Sequence, residues 1–412
     1  MTHGRPRGQQ IPRAPAPGQP RETRAGGAAL LLLGLLFLQG LVFIGYASQT
    51  SDEGAHLAAG YSYLETLDFR LNPEHPPLIK ELAALPLLML RLQFPWGPLW
   101  DRADEWTIGQ RFVHENNVPN DTILLLARLP ILALSLALGW ALFHWGRRLF
   151  GPRAALLALA LYVLDPNVVA HSCLVTTDLG VTLFIFLSVY ALWSWSGRPT
   201  PARLLLVGLA VGGAFASKFT ALWLLPILAL LALALFLKRT PLPERPWSAG
   251  GGSGAETAIE SRTASRRLAS LTLAGLLVAA VALLVVAASY GVVGLPAFLL
   301  GLERNQHHSA IGHTAYLAGR LSETGWWYYF LFAYLIKTPI GTLVLILMSL
   351  VALARGTRRG VLDEMFLWIP ILATLGITCL WKVNIGLRHL LPIYPFLYLS
   401  AGRIAAPAAA GV

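Results

Sequence analysis

Long apolar runs, separated by polar connections, fill most of this chain. The first covers 28–47. Others cover about 122–145, 149–165, 179–196, 203–217, 219–237, 268–290, 326–353, 364–381 and 390–405. A helix of about 20 apolar residues crosses the ~30 Å hydrocarbon core, so these ten runs predict ten transmembrane helices, with 149–165 and 203–217 the shortest. The predicted fold class is all-α, a polytopic membrane helical bundle. The first run is longer than the 7–15-residue core of a cleaved leader and has no A-x-A site, so it reads as a signal-anchor helix. Residues 78–92 form an apolar run too short to cross; they predict a helix at the interface or inside the bundle.

The same pattern divides the chain. Residues 1–27 read as a disordered basic cytoplasmic tail and 28–238 as an N-terminal transmembrane catalytic region that includes a large external loop, 47–121. Residues 239–267 read as a flexible, low-complexity cytoplasmic linker. A C-terminal transmembrane region, 268–405, contains a second external loop, 291–325, and 406–412 form a tail.

Composition sharpens the class. Of 412 residues, 55% are hydrophobic and 13% charged, against about 25% charged in soluble domains; the mean hydropathy is +0.58. The net charge of +11 could point to nucleic acid, but its distribution assigns it elsewhere. With the N-terminus inside and the spans alternating, cytoplasmic segments collect 20 basic and 6 acidic residues, leaving 12 basic and 15 acidic outside. Net charges of +14 inside and −3 outside make up the +11 and satisfy the positive-inside rule. No nucleic-acid partner is needed. Two cysteines, Cys173 and Cys379, supply neither a disulfide framework nor a zinc spacing; one bridge between them on the outer face is the only pairing open.

That topology gathers the chemistry on one external face, where ATP and nucleotide sugars are absent. Asp52-Glu53 follows the first span directly. Carboxylates are costly near a bilayer, so the pair reads either as a general base for an attacking hydroxyl or as a solvated acidic helix end. In Glu74-His75-Pro76-Pro77 two prolines hold the acid and the imidazole, or merely punctuate the start of the next helix, and Lys80 behind them can meet a phosphate. Asp178 precedes a span as its cap or as a second carboxylate facing Asp52. Arg304 lies in a polar stretch with His307, His308 and His313, which lack a helical i, i+4 metal spacing. Lys337 sits within an apolar run and calls for a partner or an anion. Arg388 stands at a helix start, on the wrong side of the dipole for stability but well placed for an anion. The Trp326-Trp327-Tyr328-Tyr329 cluster reads as an interfacial belt.

In order, these motifs are Asp-Glu after a first span, His-Pro-Pro-Leu-x-Lys, Thr-Thr-Asp before a span, and Asn-Ile-Gly-x-Arg-His-x-Leu-Pro-x-Tyr-Pro. Together they resemble, over about 28–405, the polyprenyl-phosphate-sugar-dependent glycosyltransferases of the C-type fold, whose members include protein O-mannosyltransferases and aminoarabinose–lipid A transferases. The resemblance implies an inverting glycosyltransferase of the plasma membrane that moves a sugar from a polyprenyl-phosphate donor to a protein, lipid or glycan acceptor. It makes Asp52 the base and lets His75 to Pro77 shape the site. Glu53 and Asp178 would position the acceptor, and Glu74, His75, Lys80, Arg304, Lys337 and Arg388 would bind substrate. No cofactor is required; a divalent metal is compatible with the scheme but no clear motif, such as DxD in the first loop, supports one. Relatives carry further helices and often an external C-terminal domain. The rival reading is a transporter or flippase of an anionic lipid-linked substrate, which would place its charges nearer the bilayer midplane.

Overall fold

The computed structural model describes residues 20–238, 256–355 and 360–406. α1 (Pro20–Tyr46) begins within the segment expected to be a tail and runs to the first polar loop. α2 (Ser51–Thr66) follows at once, then α3 (Leu78–Ala84) with a 3₁₀ turn at Leu85–Met89, α4 (Pro98–Asp101) and α5 (Glu105–His114). The loop 47–121, expected to be external, is therefore largely helical. α6 (Asn120–Phe150), α7 (Pro152–Leu164), α8 (Pro166–His171), α9 (Asp178–Gly197), α10 (Pro201–Ser217) and α11 (Leu224–Leu237) complete the N-terminal half. α12 (Glu256–Ile311), a two-residue-turn hairpin of β1 (Ala315–Leu317) and β2 (Arg320–Ser322), α13 (Tyr329–Lys337), α14 (Ile340–Ala354), α15 (Val361–Leu380) and α16 (Tyr394–Gly402) form the rest.

Among the described residues, six helices are long and apolar enough to cross a membrane, or seven if α13 and α14 are one broken span. The other three expected spans are helical but short: α7 and α10 are apolar helices of fewer than 18 residues, and α16 is preceded by a 3₁₀ segment, Leu387–Ile393. The run 326–353 was expected to cross as one helix. It bends by 115° at Thr338-Pro339, because proline has no amide to donate and pushes the residue before it out of helical geometry.

Two further expectations change, and the one cysteine pairing left open is not made. The linker ends sooner, since helix begins at Glu256, while 239–255 lie outside the described residues. The loop expected at 291–325 is helical as far as Ile311, beyond a kink where Gly291 takes φ 63°. Cys173 and Cys379 are both free thiols, with Cys173 buried.

The 78–92 segment splits in character. Ile79, Lys80, Ala83 and Ala84 of α3 are buried inside the bundle, whereas Leu85, Leu88 and Met89 are exposed apolar residues suited to an interface. Close approach places it there. A Cβ on Gly60 of α2 would collide with the Lys80 carbonyl, so only glycine lets α3 lie this near. Gly109 of α5 is likewise pressed against the Gly54 backbone.

Candidate active site

Glu53 builds the platform. It is completely buried, as is Arg128 of α6. The Arg128 guanidinium grips it through Nε at 2.8 Å and Nη2 at 2.7 Å. Thr50 N and Val175 N donate to the same carboxylate at 2.8 and 3.0 Å. Arg128 also donates to the carbonyls of Ala47 and Ser48 at 2.7 and 2.9 Å. One ion pair thus ties together the end of α1, the start of α2, α6 and the 172–177 turn. Glu53 was expected to help position the acceptor. Its oxygens are consumed by this network, so it acts on the site by holding α2 in place.

Asp52, one residue earlier, turns to a different side of the helix. It meets Arg388 Nη1 at 2.6 Å, and both side chains are about 30% exposed. Burial pushes the Asp52 carboxyl up, but Arg388 beside it outweighs that and leaves it below the ordinary carboxylate value. The arginine whose place at a helix start lacked a structural reason has one here, although its Nε is buried without a protein partner.

Asp178 opens α9 and binds Lys218 Nζ at 2.5 Å, with both side chains nearly inaccessible. Lys218 caps the C-terminal end of α10, where Ser217-Lys218-Phe219 carries no sequence motif. Asp52 and Asp178 lie close enough to influence each other, and Arg388 acts on both. The two carboxylates and two cations, supplied by four separate stretches of chain, form one alternating cluster.

Imidazoles surround it. His56 lies one turn along α2 from Asp52, on the same side of the helix. Its Nδ1 is 2.9 Å from the Val175 carbonyl, an acceptor only, so that nitrogen carries the proton and Nε2 is left bare. Burial, with Lys80 nearby, lowers the His56 pKa to about 4. His75 packs edge-on against His56 at 5.1 Å between ring centres, and burial, then His56, hold it well below the usual histidine value. Nδ1 of His75, Nδ1 of His171 and both ring nitrogens of His389 are buried without a protein partner. Buried polar atoms left unpaired cost about 1–3 kcal/mol each. Several around one carboxylate–cation cluster mark a place built for a polar ligand.

The remaining expected residues do not converge on this cluster. Lys80 is buried, and its amine is taken up by Tyr63 Oη at 2.9 Å and the Asn72 carbonyl at 2.8 Å. Burial lowers its pKa to about 7, against the pull of Glu105 and Glu81, so the phosphate contact expected of it is replaced by a structural one. Glu74 pairs with His308 at 3.3 Å, and the His308 ring lies tilted against His313, which brings the far end of α12 over the His-Pro-Pro turn. Arg304 is exposed on that same end of α12. Lys337, expected deep in a span, is the exposed last residue of α13 at the break before Thr338-Pro339. Among the described residues no three His, Cys, Asp or Glu side chains are gathered as around a metal ion.

Sequence reasoning missed Arg128, Lys218, His56, His171 and His389. His56 had a local signal in its i+4 spacing from Asp52, and His389 and His171 lie in or beside the Arg-His and Thr-Thr-Asp motifs without having been given a role. Arg128 and Lys218 are single residues in apolar surroundings, where an intramembrane charge is itself the clue.

Comparison with known proteins agrees with this architecture. Residues 123–250 match the model of the dolichyl-phosphate-mannose-protein mannosyltransferase family. No curated protein matches the chain. Among solved structures, ArnT from Cupriavidus metallidurans in the apo state is 16% identical, with a TM-score of 0.55, over 92% of this chain and 59% of that one. The same protein bound to undecaprenyl phosphate gives a TM-score of 0.55 at 16% identity over 91% and 59%. The Archaeoglobus fulgidus oligosaccharyltransferase in the apo form gives 0.52 at 12% identity over 92% and 50%. The chain therefore has the largely helical, multi-span fold of these proteins and spans between half and three-fifths of their length.

Proposed function

We propose that the protein is a membrane glycosyltransferase that moves a sugar from a polyprenyl-phosphate-linked donor to a hydroxyl or amine of a protein, lipid or glycan acceptor. One observation carries the reading: an ionised, partly accessible Asp52 is held beside Arg388 and faces the Asp178–Lys218 pair at one end of the bundle. A base must be ionised and reachable, and a departing phosphate needs fixed cations close to that base. Resemblance of the fold to ArnT, solved with undecaprenyl phosphate, supports a lipid-phosphate donor.

In this scheme Asp52 accepts the acceptor proton as the acceptor oxygen or nitrogen bonds to the sugar's anomeric carbon. The carbon–oxygen bond to phosphate breaks on the opposite side, its electron pair stays with the phosphate, and the anomeric configuration inverts. Arg388 is shared between Asp52 and the leaving phosphate. Asp178 holds Lys218 near the developing charge and helps to orient the acceptor. His75 borders the cluster, while Glu74 and Arg304 near the His-Pro-Pro turn and Lys337 at the end of α13 would meet more distant parts of the substrate. No cofactor is required. We assign the cluster to the external face of the plasma membrane, with the N-terminus inside; the excess of basic residues on the segments assigned to the cytoplasm supports this orientation.

Incubating the purified chain with labelled polyprenyl-phosphate sugars should release free polyprenyl phosphate. Asp52→Asn should retain donor binding and lose about two orders of magnitude or more in turnover. Wild-type turnover by Asp52→Asn would remove Asp52 from the mechanism, whereas donor uptake without bond cleavage by the wild type would favour a lipid carrier.

A further inference from the structure

A second polar centre lies at the opposite end of the bundle. α9 carries Asp178 at its first residue and Gly197 at its last, a separation of roughly 30 Å along the axis, about the thickness of the hydrocarbon core. There the ends of α6 and α9 and the starts of α10 and α15 enclose a cavity of about 480 Å³, lined by Arg148, Arg198, Arg203, Trp193 and Asp363 among others. Small-molecule sites occupy roughly 300–1,000 Å³.

Its charge is unbalanced. Three guanidinium groups face one carboxylate, and that carboxylate accepts a hydrogen bond from Trp193 Nε1 at 2.7 Å. The adjacent Glu364 is bound by both Nη atoms of Arg403, at 2.9 and 2.7 Å. Arg203 closes the end of α9, donating to the carbonyls of Ser194 and Arg198 at 2.8 and 3.2 Å. The side chains of Arg148 and Arg198 have no hydrogen-bond or carboxylate partner among the described residues, and both residues are exposed. The positive-inside rule accounts for arginines at this end of the helices. It does not account for three lining one concavity, where they repel one another unless an anion lies between them. Guanidinium forks match phosphate oxygens in pairs, and a tryptophan in the wall suits the headgroup level of a bilayer.

We propose that this cavity binds the phosphate of an anionic glycerophospholipid from the adjoining leaflet. Arg148 and Arg198 hold the phosphate, and Arg203 and Trp193 form the fixed wall. The assignment stands independently of the glycosyltransferase reading.

The test uses the full chain in nanodiscs of phosphatidylcholine alone or mixed with phosphatidylglycerol, with retained lipid counted by native mass spectrometry. The wild type should retain phosphatidylglycerol preferentially and unfold at higher temperature in its presence. Arg148→Gln/Arg198→Gln should weaken that preference about thirtyfold, at about 1 kcal/mol per charge, with unchanged melting in phosphatidylcholine. Arg148→Lys/Arg198→Lys should fold and keep part of the preference. Arg153→Gln/Arg355→Gln, which removes exposed arginines outside the cavity, should keep all of it. Equal loss in that control, or full retention in Arg148→Gln/Arg198→Gln, overturns the site. If inorganic phosphate alone displaces the lipid, the cavity serves a soluble phosphate and the lipid assignment falls.

Discussion

Arg388 contacts Asp52, and in the proposed mechanism it also meets the donor phosphate. Without its cation, Asp52 would keep burial and the Asp178 charge, which raise its pKa, against His56 alone. Arg388→Ala is therefore expected to weaken donor binding about thirtyfold, as for a lost charge-assisted bond of about 2 kcal/mol. It should also move the acid limb of the kcat/KM profile to higher pH, because that limb reports the base in the free enzyme. The sign is fixed: a carboxylate held low by a cation protonates at higher pH when the cation goes. Arg388→Lys should restore part of the affinity, since an ammonium lacks the paired fork. Unaltered donor affinity together with an unaltered acid limb would leave Arg388 as no more than a helix-end charge.

At the scale of elements, the Glu53–Arg128 pair decides where α2 begins relative to α1 and α6. A buried pair is poor evidence of net stability, yet removing one partner strands the other's charge, typically at about 3–5 kcal/mol. Arg128→Met should lower the melting temperature strongly and abolish turnover by displacing Asp52, although Arg128 touches neither Asp52 nor Arg388. Glu53→Leu/Arg128→Met should recover much of the stability without the activity, because the backbone donors of Thr50 and Val175 would remain unmatched. Comparable melting of the single and double variants would show that the charge is not what the pair contributes. The break between α13 and α14 works on the same scale: by ending α13 at Lys337 it delivers that lysine to the surface instead of burying it.

For the whole molecule, the long and short helices present one end to the Asp52 cluster and the other to the arginine-lined cavity. On the proposed orientation, which rests on the charge split of the sequence, the first would be external and the second cytoplasmic. Single cysteines introduced at Glu115 and Lys238, both exposed, on a Cys379→Ser background should react with an impermeant thiol reagent from outside at position 115 and only after permeabilisation at position 238. The reverse pattern would invert the membrane orientation and place the proposed chemistry in the cytoplasm.

What the chain dictates locally was legible in its residues. Apolar runs must become helices in a bilayer, because each backbone donor and acceptor needs an internal partner there. Asp52 at the end of the first run, Asp178 at the start of a span and Arg388 before the last helix are likewise set by their distance from those runs. Tertiary structure alone decided which charges meet. Whether Glu53 faces the ligand or Arg128, and whether Lys80 reaches a phosphate or the carbonyl of Asn72, depends on helix rotation and on close approaches such as that at Gly60. Those are fixed by packing between residues far apart in sequence. Arg128 and Lys218 sit 75 and 40 positions from the carboxylates they neutralise. No spacing rule links them, and only the folded bundle brings them together.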